Sequence, residues 1–232
     1  MRYTTINRFR KTHRFLGVFI GIQFLFWTIS GLYFSWTNID EVHGDHYLKK
    51  PTPVAINAGL IADSLFHNLS FPIHELEVKT IGQSPFFWVN DSLLIHPKSG
   101  EIITEISPQQ AVAVVQANVL PQYIPQKTER ITEVGPHSEY RGRPLPAFRI
   151  ALSGEGNPIA YVNARNGDFQ RIRHTQWRWF DFLWMTHTMD YQGRDNFNTL
   201  LLRAFSLLGL ITVLSGFALA FVTSNWRKKK QA

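Results

Sequence analysis

The sequence predicts an α+β protein in which two transmembrane helices flank a domain of two helix-plus-antiparallel-sheet units. Three observations predict it. All 17 acidic residues lie between Asp40 and Asp195. Each acid-free end carries a long apolar stretch beside a basic cluster. Between the ends, two strand-rich segments carry the turns LIHPKSGEI and YVNARNGDF, which align with Gly100 on Gly167 and Glu101 on Asp168, a separation of 67 residues.

The first apolar stretch, residues 15–36, reads FLGVFIGIQFLFWTISGLYFSW and has no formal charge. As a helix it reaches about 33 Å, enough to cross a bilayer. The second, 200–222, ends in AFSLLGLITVLSGFALAFV, and Arg203 near its start can snorkel to the interface. A cleaved signal peptide is the competing account of the first stretch. Its apolar run exceeds the usual signal core, and small residues are sparse just beyond Trp36, which favours an anchor.

Arg2, Arg8, Arg10, Lys11 and Arg14 precede the first span, and Arg227, Lys228, Lys229 and Lys230 follow the second. Short basic flanks resist translocation, so the N-terminus (1–14) and the C-terminus (223–232) are expected in the cytoplasm and residues 37–199 outside it. The net charge of +7 is therefore a topology signal. It gives no reason to expect nucleic acid as a partner. With no cysteine, the chain has no disulfides, no thiolate catalysis and no Cys-ligated metal.

The first unit is expected over about 52–106. Ile56, Leu60, Ile61 and Leu65 have helical spacing, and strands follow at 76–81, 86–89, 93–96 and 101–106. The second covers about 107–173. Ser107 is a plausible helix N-cap with Pro108 at the first helical position, and strands follow at 147–152, 158–162 and 168–172. The glycines of the two aligned turns suit positive φ beside strands. Whether the two units share one core is open.

Residues 174–189, HTQWRWFDFLWMTHTM, are dense in aromatics. If helical, they place Trp177, Phe180, Trp184 and His187 on one face, with Arg178 and Asp181 away from its centre. Such a helix suits a membrane surface, where Trp is favoured; the alternative is that these aromatics close the core of the second unit.

Several pieces together resemble the PepSY-associated transmembrane family. They are THRFLGVFIGIQFLFWTISGLYFSW, the units ending in IHPKSGEI and VNARNGDF, the segment WMTHTMDYQGRDNF and the closing LLGLITVLSGFALAF. The resemblance implies a bacterial inner-membrane protein, here a short two-span variant, with a periplasmic PepSY-like domain. Larger members have four or more spans, and some are implicated in ferric-siderophore reduction or haem-linked electron transfer. That role carries over to His13 and His187, which match the family's histidine-bearing motifs, and it implies haem b as a cofactor. This chain carries neither a flavin nor a nicotinamide fingerprint.

Roughly 30 Å of bilayer separates His13 from His187, so the two cannot ligate one haem within a monomer. His43 and His46 follow the first span in DEVHGDH, and convergence of the spans would bring them toward His187. There they would act as haem ligands or, with Asp190 or another nearby carboxylate, as a zinc or iron site. The bland account of the same residues is interfacial hydrogen bonding and helix capping. For His13 it is headgroup anchoring beside Arg14. Gly17, Gly21 and Gln23 on the first span, and Gly209 and Gly216 on the second, are expected to mediate helix association with a membrane partner or a second copy.

No HExxH, GxSxG, GxxxxGK[ST] or GxGxxG pattern occurs, so no autonomous catalytic residue is assigned. Two functional classes remain. One is an anchored extracytoplasmic binding or assembly module accessory to an envelope complex. The other is a haem- or metal-binding subunit of an iron-handling electron-transfer system.

Overall fold

The computed structural model describes residues 3–50 and 71–231, with side chains from residue 6 to residue 223 within those ranges. The helical spacing of Ile56, Leu60, Ile61 and Leu65 lies outside the described residues. In chain order the elements are α1 (Tyr3–Trp36), α2 (Ile39–His43), β1 (Leu76–Ile81), β2 (Ser84–Val89), β3 (Leu93–Ile95) and β4 (Ile102–Ile103). There follow α3 (Pro108–Asn118), β5 (Pro125–Ile131), β6 (Ala147–Leu152), β7 (Ile159–Asn163), β8 (Phe169–Arg173), α4 (Thr175–Thr188) and α5 (Leu200–Gln231). They form two compact units, one of Met1–Thr37 with Phe180–Ala232 and one of Asn38–Trp179.

In the first unit, Ile6–Trp36 of α1 and Leu200–Thr223 of α5 are long and apolar enough to cross a membrane. Both present large apolar side chains outward, among them Phe15, Val18, Leu214 and Phe217, each more than half exposed. Such surfaces suit hydrocarbon, and backbone bonding kept within each helix leaves no polar group to the lipid. The chain is thus a two-pass membrane protein whose helices flank a central α+β domain. Both helices continue as helix into the basic flanks.

α1 and α5 pack with Phe19 on Phe205 at 5.6 Å between ring centroids. Gly209 lets Phe24 approach, since a Cβ there would sit 3.0 Å from the ring. Gly216 does the same for His13 at 3.3 Å, whereas among the described residues Gly17 and Gly21 have nothing within 4 Å of a Cβ position. Gly209 and Gly216 of α5 therefore serve contact with α1.

The domain holds two four-stranded antiparallel meanders, ordered β1-β2-β3-β4 and β5-β6-β7-β8. The 67-residue echo is visible in their hydrogen bonds. In the first, His96 N–H donates to Glu101 O at 2.9 Å and Gly100 N–H to His96 O at 3.0 Å. In the second, Asn163 N–H donates to Asp168 O and Gly167 N–H to Asn163 O at the same distances. Gly100 and Gly167 have φ of 69° and 72°, and Asn90 and Asn157, another aligned pair, have φ of 50° and 47°. Short polar residues tolerate this left-handed region better than most.

α3 starts where the sequence places it. Ser107 Oγ accepts from Gln110 N–H at 3.1 Å, and Gln110 Oε1 accepts from Ser107 N–H at 2.7 Å, a reciprocal capping box. The helix packs against both sheets, burying Ala111, Val114 and Val115 in a continuous core with Phe86, Trp88 and Leu94 of the first sheet and Phe148, Ile150 and Val162 of the second. The two units therefore share one core. Lys79 of β1 also reaches Asp168 before β8, at 3.2 Å.

β5 has no counterpart in the sequence reading. Its sequence PQKTERI lacks an apolar face, and it lies at a sheet edge, where a starting proline deprives the ladder of little. The loop 132–146 then folds over the outer face of the second sheet. There Tyr140 stacks on Tyr161 at 4.6 Å, with Ala147 and Ile159 beside them.

The shared core gives a prediction at Gly167. A Cβ there would lie 2.7 Å from Cγ1 of Ile81, on a backbone at φ +72°. Gly167→Ala is expected to destabilise the domain by about 1–3 kcal/mol. A clear drop in the thermal midpoint of the full chain in detergent, followed by far-UV circular dichroism, is the expected result; an unchanged midpoint would argue against close packing of the turn on the first sheet.

Candidate functional site

Two clusters concentrate polar chemistry, one in the membrane unit and one in the domain. In the membrane unit, Gln23, Trp27, Ser30 and Phe34 recur every three or four residues along α1 and form a stripe facing the second half of α4. Gln23 Nε2 donates to Thr186 O at 3.3 Å, and Trp27 Nε1 donates to His187 O at 2.8 Å. Ser30 Oγ lies 2.7 Å from His187 Nδ1. The ring of Phe34 touches Phe180, Trp184 and His187, with centroids 4.9, 5.8 and 5.7 Å away. Ser30 lies six residues before Trp36, so this contact is roughly 9 Å along the helix from the end of α1.

Three of the four aromatic-face residues thus meet α1. The fourth, Trp177, belongs to the domain, where Arg173 lies over its ring at 4.0 Å. α4 ends at Met189 in the left-handed region, and the next turn is organised by Asp190. Oδ1 of Asp190 accepts from Gln192 N–H and Gly193 N–H, and Oδ2 accepts from Asn196 N–H at 2.9 Å. Burial opposes ionisation of this carboxyl, yet the surrounding backbone N–H groups hold it below the usual carboxylate range. Arg194, from the same turn, pairs with Asp181 of α4.

His13 stands at the other end of α1, with Nδ1 2.7 Å from Ser215 Oγ of α5. The hydrogen bonds of the two serines bear on the role of Nδ1 in both histidines. Ser215 Oγ lies 2.7 Å from Thr212 O and Ser30 Oγ 2.7 Å from Phe26 O. A carbonyl cannot donate, so each hydroxyl proton goes to the carbonyl and each imidazole must donate from Nδ1. Nε2 is then the ring nitrogen through which either imidazole would ligate a metal.

His43 and His46 lie in the domain, not in the unit that holds His187 and Asp190. His43 is exposed at the end of α2. His46 packs its ring on Tyr47 at 4.1 Å and edge-on to His174 at 5.2 Å. Asp190 directs both oxygens to its own turn. Among the described residues, no group of three or more His, Cys, Asp or Glu gathers into a metal site.

His174 is nearly inaccessible and fastens the segment after α1 to the second sheet. Its Nε2 donates to Glu41 O at 3.0 Å and Val42 O at 3.2 Å. Burial depresses its pKa below the ordinary 6.5 despite these carbonyls, and His46 and Arg178 add to the depression. Tyr47 supports the joint by donating its hydroxyl to Glu155 O.

The second cluster lies on the outer face of the second sheet, where the 132–146 loop leaves an open cleft of about 480 Å³. Ile131, Val134 and Ile159 form its apolar wall, and Glu139, Arg149, Tyr161 and Arg178 supply polar groups. Glu129, Arg149, Tyr161 and Arg171 are directly paired across β5 to β8 and therefore share this face. Tyr161 donates to Glu139 Oε1 at 2.8 Å, while Arg178 Nε donates to Oε2 at 2.7 Å. Burial pushes the Tyr140 hydroxyl up to about 12. Burial and the Glu139 carboxylate push Tyr161 up as well, so both phenols are protonated at neutral pH.

The sequence reading names neither Ser30 nor the Glu139 cleft. Ser30 was detectable: it lies seven residues after Gln23, on the helical stripe that Gln23 and Trp27 begin. Glu139 sits in a loop without periodicity, and no local signal connects it to Tyr161.

His174 gives a pH prediction. A folded pKa below the unfolded value means that acid favours the unfolded chain, so this stabilisation is complete above about pH 6.5 and is lost as pH falls through the lowered folded value. His174→Gln, which retains a donor for the two carbonyls, is expected to flatten the fall in thermal midpoint between about pH 7 and pH 5. Parallel midpoint curves for the two proteins would show that the buried imidazole does not set the slope.

Comparison with known proteins returned no family model, curated protein or solved structure that matches this chain.

Proposed function

We propose that this protein is a membrane-anchored binding and assembly module, with a PepSY-like domain held outside the cytoplasm at a bacterial inner membrane. The observation that carries this reading is that the domain's chain enters from one long apolar helix and leaves into another. A domain tethered at both ends is confined to a layer beside the bilayer, where it meets envelope partners at high effective concentration. The basic flanks support the orientation, and the matched motifs support PepSY-like character. The cleft beside Glu139 gives the domain a place to bind.

The absence of cysteine makes the orientation simple to test. Glu133→Cys in the exposed loop is expected to react with a membrane-impermeant maleimide in intact cells. Lys11→Cys on the exposed flank of α1 is expected to react after permeabilisation. The reverse pattern would place the domain in the cytoplasm and overturn the orientation.

A second reading, a haem-binding electron-transfer subunit, is favoured by one observation. Both His13 and His187 engage a serine hydroxyl through Nδ1, which makes Nε2 the nitrogen that would meet a ligand. Each would hold a haem by that nitrogen, with a second ligand supplied by another copy or another subunit. The group would supply one-electron chemistry. On this reading, protein titrated with haem develops a stoichiometric Soret band that His187→Ala diminishes. A spectrum indifferent to both His13→Ala and His187→Ala would rule it out.

A further inference from the structure

We infer that the cleft on the outer face of the second sheet binds a carboxylate attached to an apolar group. The chemistry is that of a peptide C-terminus or an N-acylated amino acid. This inference rests on the binding-module reading and names its ligand.

Among the charged residues that line the cleft, Glu139 is matched by Arg178. Arg178 gives Nε and Nη2 to the carboxylate, at 2.7 and 3.3 Å, and Nη1 to Asn157 O at 3.2 Å. All three nitrogens of that guanidinium are engaged, and it serves to hold Glu139 beside Tyr161. Arg149 differs. It donates Nη1 to Glu129 Oε2 at 3.0 Å and lies against the Tyr161 hydroxyl. Glu129 is shared with Lys127. A guanidinium has more donors than these contacts use.

The cleft lining thus holds two cations and one anion, and the second cation retains hydrogen-bonding capacity. Arg171 follows Tyr161 in the same cross-strand row, adding positive charge to the face, and its Nε is enclosed without a hydrogen-bond partner among the described residues. A monoanion is what this balance accepts. The planar fork of Arg149 matches a carboxylate, which can bond two parallel N–H groups.

The rest of the lining selects what the carboxylate is attached to. Ile131, Val134 and Ile159 line the cleft beside the charged groups, and its volume falls within the range that takes a small organic ligand. A free inorganic anion would leave that wall uncovered, and a neutral apolar molecule would leave the unused Arg149 donors without an acceptor. The loop that makes the cleft, 132–146, has no equivalent in the first sheet, where Gly82 and its neighbour connect β1 directly to β2. The second repeat therefore departs from the first at the place where the cleft forms.

The experiment titrates the full chain, in nanodiscs of zwitterionic lipid, with N-acetyl-leucinate and with its neutral isostere N-acetyl-leucinamide, read by isothermal calorimetry. The acid is expected to bind about tenfold or more tightly than the amide. Arg149→Gln is expected to abolish that preference, and Arg149→Lys to retain part of it. Equal binding of acid and amide, no acid binding up to about 10 mM, or a preference that survives in Arg149→Gln overturns the inference. A tetrapeptide acid ending in leucine that binds tighter than N-acetyl-leucinate assigns the site to peptide C-termini, and equal binding assigns it to the small acid. Because nanodiscs expose both faces, the titration is independent of orientation, and its failure is distinguishable from failure of the maleimide test.

Discussion

Hydrocarbon offers no hydrogen bonds, and this constraint organises the membrane unit. α1 carries His13, Gln23, Trp27 and Ser30 through a region where each needs a protein partner. Ser215 of α5 meets His13 at one end, while Thr186 and His187 of α4 meet the other three. Apolar packing between helices gains little when lipid tails are equally apolar. The polar bonds therefore determine which helices associate and in what register. They also set the chemistry of the two histidines, because each serine, already donating to its own helix, can only accept from the imidazole.

The domain answers to a different constraint. In a repeated helix-plus-sheet unit, each sheet has one face to bury, and neither sheet can do so alone. α3 contributes to a core with both, so Val114 and Val115 share one core with Leu94 of the first sheet and Ile150 of the second. The turn at Gly167 packs close enough to Ile81 that no side chain fits between. Repetition yields stability this way, and chemistry arises where repetition fails. The 132–146 loop brings Glu139 and Tyr140 over Tyr161, and the cleft that Arg149 lines follows from that insertion.

Much of this was legible from local pattern. Uncharged stretches long enough to span a bilayer, basic flanks, the Ser107 cap and the aligned turns all act through neighbours in sequence, so residue type and spacing suffice. β5 was not legible, because an edge strand with an exposed face need not alternate. Nor was the destination of Trp177. Its spacing groups it with Phe180 and Trp184, yet α4 runs from one compact unit into the other, and the stripe divides with it.

The sequence by itself determined that two apolar helices bracket a repeated α+β domain, because hydrophobic length, charge and turn chemistry are local properties. Only the tertiary structure decided that the two sheets share one core, that each of two distant histidines engages a serine through Nδ1, and that Arg149 keeps donors in reserve beside the Glu139–Arg178 pair. Those facts depend on which partner consumes each hydrogen bond. Partners separated by 202 residues, as His13 and Ser215 are, meet through folding and leave no mark in local spacing.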